Sequence, residues 1–282
     1  MLKYLTHHVP DGFTTNMIRY PIATIVYLPL LVSTVRRGHS LGRFWITALV
    51  PAIVNIISQT LFAIAPYYMN AGVMSFLLRL STIWSILLAF TLFADERPLA
   101  RSPLFWSGAV IGLVGFLLMA IYGNPEFRLT TAGILIVLVC SLFWGLYDVT
   151  VRHTMGRLHP LVVFGVIGNY SSIGLLLLGP VGEPSSVLRL EPWPLAMLVI
   201  SAFIGISAAH GMYYVALQRL GVAVPAIVML ATPFVSIMVS AIFLGERFTA
   251  LQWIGGLTLL GGAALALLSR QRMRRRDLPE PA

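Results

Sequence analysis

The chain has 282 residues, of which 58% are hydrophobic and only 10% are charged, and its mean hydropathy is +0.87. A soluble domain carries roughly 25% charged residues, so this composition excludes a soluble protein and predicts an integral membrane protein. The net charge of +9 would suggest nucleic acid in a soluble protein. Here the basic residues lie in short connections between apolar runs, so we predict the lipid bilayer as a partner and no nucleic acid.

Nine apolar runs follow one another along the chain, and each approaches the roughly 20 residues that a membrane-spanning helix needs. We therefore predict an all-α, polytopic membrane protein with about nine transmembrane helices. In chain order, the runs cover residues 15–35, 44–65, 71–93, 104–122, 131–151, 161–179, 194–217, 222–244 and 251–268.

Residues 71–97 and 221–247 match each other at a spacing of 150 residues. A fixed spacing that is kept across two halves predicts a duplicated unit. The matched pairs are Leu80/Leu230, Thr82/Thr232, Phe93/Phe243, Glu96/Glu246, Arg97/Arg247 and, with the spacing reduced by three, Trp106/Trp253, Gly108/Gly255 and Gly115/Gly262.

The duplication predicts a first repeat at residues 1–123, a second at 124–269 and a basic tail at 270–282. The run 131–151 has no counterpart in the first half. We therefore expect that the first helix of the first repeat is missing, either because the natural chain starts upstream or because the protein works with nine spans.

Most of the arginines lie in connections on one side of the membrane. The same side carries the C-terminal run RQRMRRRD at 270–277. Because basic connections stay in the cytoplasm, we predict a multi-pass protein of the cytoplasmic (inner) membrane with a cytoplasmic C-terminus. Equivalent runs then cross in opposite directions. The halves are thus predicted to be inverted repeats of helical bundles, which is typical of transporters.

Several short motifs keep this order and spacing: ADER at 94–97, LGER at 244–247, Thr232-Pro233, Arg19 near the start of the first run, and FWGLY at 143–147. With these motifs the chain resembles the EamA-like branch of the drug/metabolite transporter superfamily. The resemblance implies ten helices in two five-helix repeats, and transport of small metabolites such as amino acids by alternating access. The chain departs from the family in lacking the first helix and in having Thr82-Ile83 where the second repeat has Thr232-Pro233.

Arg79 is predicted to lie near the middle of the membrane, where a charged side chain is costly and usually faces a cavity or a partner. Ser75 and Thr82 share its helix face. We interpret this face as a cavity wall on which Arg79 binds a carboxylate or another anion. The alternative is a structural arginine that bonds to backbone carbonyls of a broken helix.

Two titratable residues within the runs are further candidates. Asp148 could bind a coupling proton or an amine, or it could be an interfacial carboxylate paired with Arg152 four residues later. His210 could relay protons or simply pack with a hydrogen bond. No second histidine or cysteine stands at metal-ligand spacing within the runs, so we predict no metal and no cofactor.

Asn55 and Gln59, four residues apart, either line a cavity or only join helices. Trp144 and Tyr147 either stack on an aromatic or apolar substrate or fill the core.

In the run 222–244, Thr232 and Ser236 form a polar face, and Pro225 and Pro233 interrupt the helix. These prolines are candidate hinges of a gate, with a static kink as the alternative.

Gly108 and Gly112 form a GxxxG pattern, which favours tight packing within the bundle over a homodimer. The sequence contains no HExxH motif, P-loop or suitably placed G-x-S-x-G motif, so we predict that it is not an enzyme. We expect a secondary transporter, working as an exporter, for a small-molecule substrate. The alternatives are a non-transporting or truncated membrane protein and a membrane-embedded enzyme.

Overall fold

The computed structural model describes residues 2–37, 41–69, 71–121, 130–235, 238 and 249–276. Over these ranges the chain is almost entirely helical and contains no β-strand. Its α-helices are α1 (Leu2–Leu5), α2 (Gly12–Ile25), α3 (Leu28–Arg36), α4 (Phe44–Thr47), α5 (Leu49–Tyr68), α6 (Ala71–Leu78), α7 (Leu80–Leu92), α8 (Arg97–Ala100), α9 (Pro103–Ile121), α10 (Thr131–Met155), α11 (Pro160–Leu178), α12 (Pro192–Ala202), α13 (Ala209–Leu220), α14 (Ala223–Val228) and α15 (Ala250–Arg276). Between them lie a π-helical segment (Phe203–Ala208) and 3-10 turns at Gly179–Val181, Pro184–Arg189 and Met229–Ala231.

Five helical stretches are long and apolar enough to cross a membrane, and a sixth results if α2 and α3, which meet at a bend of 42°, form one span. The five are Phe44–Tyr68, Thr131–Met155, Pro160–Val181, Pro192–Leu220 and Ala250–Met273. Shorter apolar helices lie at Leu80–Leu92, Pro103–Met119 and Ala223–Val235. The protein is thus a multi-pass helical membrane protein, and the count of nine spans remains a prediction.

The contacts divide the chain into two compact units. Unit 1 comprises Met1–Leu78 and Arg128–Arg219, and unit 2 comprises Arg79–Phe127 and Leu220–Ala282. Each unit therefore takes helices from both halves of the sequence. The repeat boundaries at 123 and 269 remain predictions.

In unit 1, α5 packs along α10, and α2 packs along α11 and α12. Helix α2 begins at Gly12 because Asp11 caps it, accepting a hydrogen bond from the backbone N–H of Thr14 (2.7 Å). It ends at Ile25, just before Pro29 in the first turn of α3. Proline has no N–H to continue the helical ladder, which accounts for the bend.

In unit 2, α9 and α15 pack through glycine. A Cβ atom added at Gly108 would lie 2.7 Å from the carbonyl oxygen of Gly262, and one added at Gly115 would lie 2.5 Å from that of Gly255. As α9 advances, the contacts move backwards along α15, so the two helices are antiparallel. The glycines thus make a close contact between two helices of the same unit, as their spacing predicted.

The connection after α7 is held by two adjacent acidic residues. Glu96 is fully buried, and its carboxylate accepts hydrogen bonds from the backbone N–H groups of Val222 (2.7 Å) and Ala223 (2.8 Å), at the start of α14. Asp95 is half exposed and pairs with Arg270 near the end of α15 (3.2 Å). Glu96 thus fixes the start of one helix, whereas its predicted counterpart Glu246 lies outside the described residues.

Candidate functional site

A polar stripe runs along one face of α2 in unit 1. Arg19 and Tyr20 are adjacent, and the other members follow at intervals of three or four positions, so they share one side of the chain; Tyr27 lies two residues beyond the end of α2. Four of them are buried and the fifth, Tyr27, is half-buried. The stripe consists of Asn16, Arg19, Tyr20, Thr24 and Tyr27.

Arg19 is the charged member of this stripe, and its side chain is only 4% exposed. Its Nε donates to the hydroxyl of Ser201 (2.9 Å), its Nη2 to the carbonyl of Ser201 (3.3 Å) and its Nη1 to Oδ1 of Asn16 (3.5 Å). All three acceptors are neutral. Arg19 has no ion pair with any residue that the structure describes.

Asn55 and Gln59 join α5 to this stripe. The Nδ2 of Asn55, which is fully buried, donates to the hydroxyls of Tyr20 (3.1 Å) and Ser171 (2.9 Å), while the backbone carbonyl of Gln59 accepts from Asn16 (2.7 Å). Asn55 therefore links α2, α5 and α11, the helix-joining arrangement that its sequence position allowed.

An aromatic cluster surrounds His210. The imidazole ring stacks on Phe164 with 5.5 Å between ring centroids, and Trp144 and Tyr147 lie 5.9 and 6.3 Å away. The hydroxyls of Tyr147 and Tyr214, both fully buried, are 2.7 Å apart and share a hydrogen bond. Trp144 and Tyr147 thus pack against protein side chains, which is the core-filling alternative.

Only one of the two ring nitrogens of His210 is hydrogen-bonded to a described residue. Its Nδ1 bonds to the carbonyl of Ile206 (3.1 Å), whereas its Nε2 is buried and has no hydrogen-bond partner among the residues described. If Nδ1 carries the proton, Nε2 presents a lone pair to its surroundings. Asp148 lies next to Tyr147 on α10 and is also buried.

The π-helical segment Phe203–Ala208 lies between Ser201, the hydrogen-bond partner of Arg19, and His210. Ser201, to which Arg19 bonds, lies just before the segment, and His210 lies just after it. The hydroxyl of Tyr27 donates to the carbonyl of Ser207 inside the segment (2.8 Å). Isolated π-turns are rare in proteins overall, but those that do occur are often found at functional sites. Arg19, His210 and this segment therefore form the candidate site.

The other predicted site residues have their contacts in unit 2. Arg79 donates from Nη1 to the carbonyl of Met229 (2.7 Å), Thr82 donates to the carbonyl of Ala226 (3.1 Å), and Thr232 donates to that of Met229 (2.8 Å). These are bonds to the backbone of an interrupted helix, the alternative role considered for Arg79.

The remaining predicted residues are distributed as follows. Pro225 lies within α14, and Pro233 follows the 3-10 turn at Met229–Ala231. Ser75 is exposed on α6, and Ser236 lies outside the described residues.

Arg19, Asn16, Ser201 and Tyr214 were not predicted as site residues. Arg19 was assigned to the end of a span, but α2 begins at Gly12, which places Arg19 in the middle of the helix. The signal that could have found it is Asp11, whose type and position indicate a helix N-cap.

The comparisons with known proteins agree with one another. The model of the EamA-like transporter family matches residues 131–268. An uncharacterized transporter of Bacillus subtilis, YdfC, is 25% identical over 222 residues, covering 73% of this chain and 65% of the relative. An uncharacterized transporter of Haemophilus influenzae is 24% identical over 196 residues, covering 67% and 63%. The chain thus spans just under two thirds of the length of these relatives.

A solved crystal structure has the same fold. Its TM-score is 0.70 at 17% identity, over 96% of this chain and 92% of that chain.

Proposed function

We propose that this chain is a secondary transporter of the EamA-like family, whose model matches residues 131–268. It exports small metabolites, such as amino acids or related compounds, across the cytoplasmic membrane by alternating access. The observation that carries the proposal is the buried polar site of unit 1. A cationic side chain inside apolar helices is costly, and in membrane proteins it usually marks a substrate or ion pathway.

The contacts of unit 2 support the inverted repeat that this mechanism needs. Gly108 and Gly255 are counterparts in the duplication, as are Gly115 and Gly262. The close contacts join Gly108 to Gly262 and Gly115 to Gly255, so exchanging the two copies exchanges the two contacts. This is the pattern of a two-fold axis.

Arg79 and Met229 support the same axis. They are 150 residues apart, so each is the other's counterpart, and they are hydrogen-bonded to each other. A residue meets its own counterpart only beside a two-fold axis. An axis lying in the membrane plane makes equivalent helices antiparallel, as α9 and α15 are.

Breaks in the helices supply places where the backbone can change during transport. They include the bend between α2 and α3, the π segment Phe203–Ala208 and the 3-10 turn Met229–Ala231. Interrupted helices are typical of transporters, in which hinge positions absorb the rocking of one bundle against another.

Transport is tested with purified protein in proteoliposomes preloaded with a mixture of radiolabelled amino acids, with and without an imposed proton gradient. We expect release above that of protein-free liposomes. Metabolite profiles of medium from cells with and without the gene identify exported compounds and the direction. If neither assay detects movement of any solute, the proposal is wrong.

The orientation has its own test. Cys140 is a buried free cysteine and the single cysteine of the sequence, so Cys140→Ala removes the background for thiol labelling. An added Arg272→Cys should then react with an impermeant maleimide in inside-out vesicles and not in intact cells. The reverse pattern would contradict the cytoplasmic C-terminus.

A further inference from the structure

Resting on the transport function proposed above, we propose that Arg19 is the substrate-binding residue of unit 1 and that it binds the carboxylate of a small organic acid or amino acid. The carboxylate lies against the Nη1 and Nη2 edge of the guanidinium, beside the π segment Phe203–Ala208.

The first argument is the charge of Arg19. A buried guanidinium costs several kcal/mol unless an anion compensates it. At 4% exposure Arg19 has only neutral acceptors among the residues described. By contrast, Arg270 is paired with Asp95. A site of this kind is completed by an anion that arrives from outside.

The second argument is which donors of Arg19 are already used. A guanidinium has five N–H donors arranged in a fork. Ser201 takes the edge formed by Nε and Nη2, through its hydroxyl and its carbonyl. On the other edge, formed by Nη1 and Nη2, Nη1 bonds to Oδ1 of Asn16 at 3.5 Å, the outer limit of a hydrogen bond. A carboxylate fits such an edge with two parallel bonds.

The third argument is space. A Cβ atom placed on Gly205 would meet one heavy atom within 4 Å beyond its own helix, Nη2 of Arg19 at 3.6 Å. Glycine in the π segment therefore leaves open volume next to the donor that remains. A larger residue at position 205 would fill the place where a carboxylate oxygen binds.

The fourth argument is a second polar atom at the other end of the same segment. His210 is 8% exposed, and its Nε2 has no hydrogen-bond partner among the described residues. Its ring is held by Phe164 and by the carbonyl of Ile206. This Nε2 is therefore a second buried atom that can bond to a polar group of the substrate.

The experiment measures binding without requiring transport. Thermal unfolding of the full chain in detergent is followed with isovalerate, isovaleramide, L-leucine and L-leucinamide as probes, at constant ionic strength. A ligand that binds the folded protein raises its Tm. We expect the two carboxylates to raise the Tm of the wild type and the two amides to leave it unchanged.

Three variants decide the role of Arg19. In Arg19→Gln, carboxylate affinity should fall about 10- to 100-fold, since the charge-assisted bonds are lost. In Arg19→Lys, carboxylate affinity should fall about 10-fold, because lysine keeps the positive charge but lacks the planar guanidinium that makes two parallel bonds. Arg157→Gln, which removes an exposed arginine of unit 1, should respond as the wild type does.

Equal stabilisation by carboxylates and amides, or an unchanged response in Arg19→Gln, overturns the proposal. If Arg19→Gln does not fold, Arg19→Lys decides, and wild-type affinity in that variant overturns it. Flux separates the two proposals. If Arg19→Gln transports solutes as fast as the wild type, the transport function stands and the Arg19 site is wrong. If carboxylates bind in an Arg19-dependent way but no solute is transported, the Arg19 site stands and the transport function is wrong.

Discussion

Arg79 donates a 2.7 Å hydrogen bond to the backbone carbonyl of Met229, the residue that stands 150 positions later in the chain. Because the two halves of the sequence match at this same spacing, the bond joins one position to its own copy. It also meets the backbone where α14 gives way to the 3-10 turn Met229–Ala231.

The Arg79 bond predicts a loss of stability rather than a loss of binding. Arg79→Gln should lower the free energy of unfolding by about 1–3 kcal/mol, because a hydrogen bond from a charged group to the interrupted helix is removed. Its carboxylate-dependent rise in Tm should stay within about twofold of the wild type. An unchanged Tm combined with a lost carboxylate response would make Arg79 the anion site that the sequence predicted.

Glu96 and Asp95 form a matched pair for testing the helix cap. Glu96→Gln replaces one acceptor of the buried cap with an amide that faces a backbone N–H, so the free energy of unfolding should fall by about 1–3 kcal/mol. Asp95→Asn removes a half-exposed ion pair and should cost less than about 1 kcal/mol. Thermal unfolding in detergent measures both, and equal losses would refute the capping role of Glu96.

The glycine contact between α9 and α15 predicts opposite effects of the same substitution. Gly115→Ala places a methyl group 2.5 Å from the carbonyl oxygen of Gly255, so the helices must separate and the protein should lose about 1–3 kcal/mol. Gly261→Ala, where a Cβ meets nothing within 4 Å, should gain about 0.5–1 kcal/mol from its higher helix propensity. Similar Tm values for both variants would show that the glycines do not set this contact.

The buried pair of Tyr147 and Tyr214 predicts non-additive effects. Tyr147→Phe leaves the hydroxyl of Tyr214 buried without this partner and should cost about 1–3 kcal/mol. The double variant Tyr147→Phe/Tyr214→Phe removes both hydroxyls, so it should be at least as stable as the single variant. A double-mutant cycle of Tm values measures the coupling, and strictly additive losses would contradict a direct bond.

The sequence predicted the membrane class and the resemblance to the EamA-like family, and it drew attention to several of the buried polar residues, for plain physical reasons. Long apolar runs have few alternatives to spanning helices, and polar residues such as Asn55 are visible because they interrupt those runs. The contacts that decide the role of each residue were harder to predict from the sequence. Whether Asn55 faced a cavity or joined helices depended on Tyr20 and Ser171, which come from two other helices.

Helix ends were the weaker part of the prediction. The last apolar run ends at residue 268, yet α15 continues to Arg276, because arginine favours helices and its charge complements the helix C-terminus. In the same way, a start at Gly12 rather than at residue 15 turned Arg19 into a buried mid-helix residue. The π segment has no recognisable signature in the letters FIGISA.

The π segment Phe203–Ala208 sets the rotation of α13, the helix that follows it in unit 1. A π-turn accommodates one residue more than an α-helical turn, and each residue of an α-helix turns the chain by about 100°. If Phe203–Ala208 instead closed as a regular α-helix without losing a residue, the extra residue would rotate α13 by about that angle. His210 and Tyr214 would leave the aromatic cluster together, so the orientation of half of the site depends on this single π-turn.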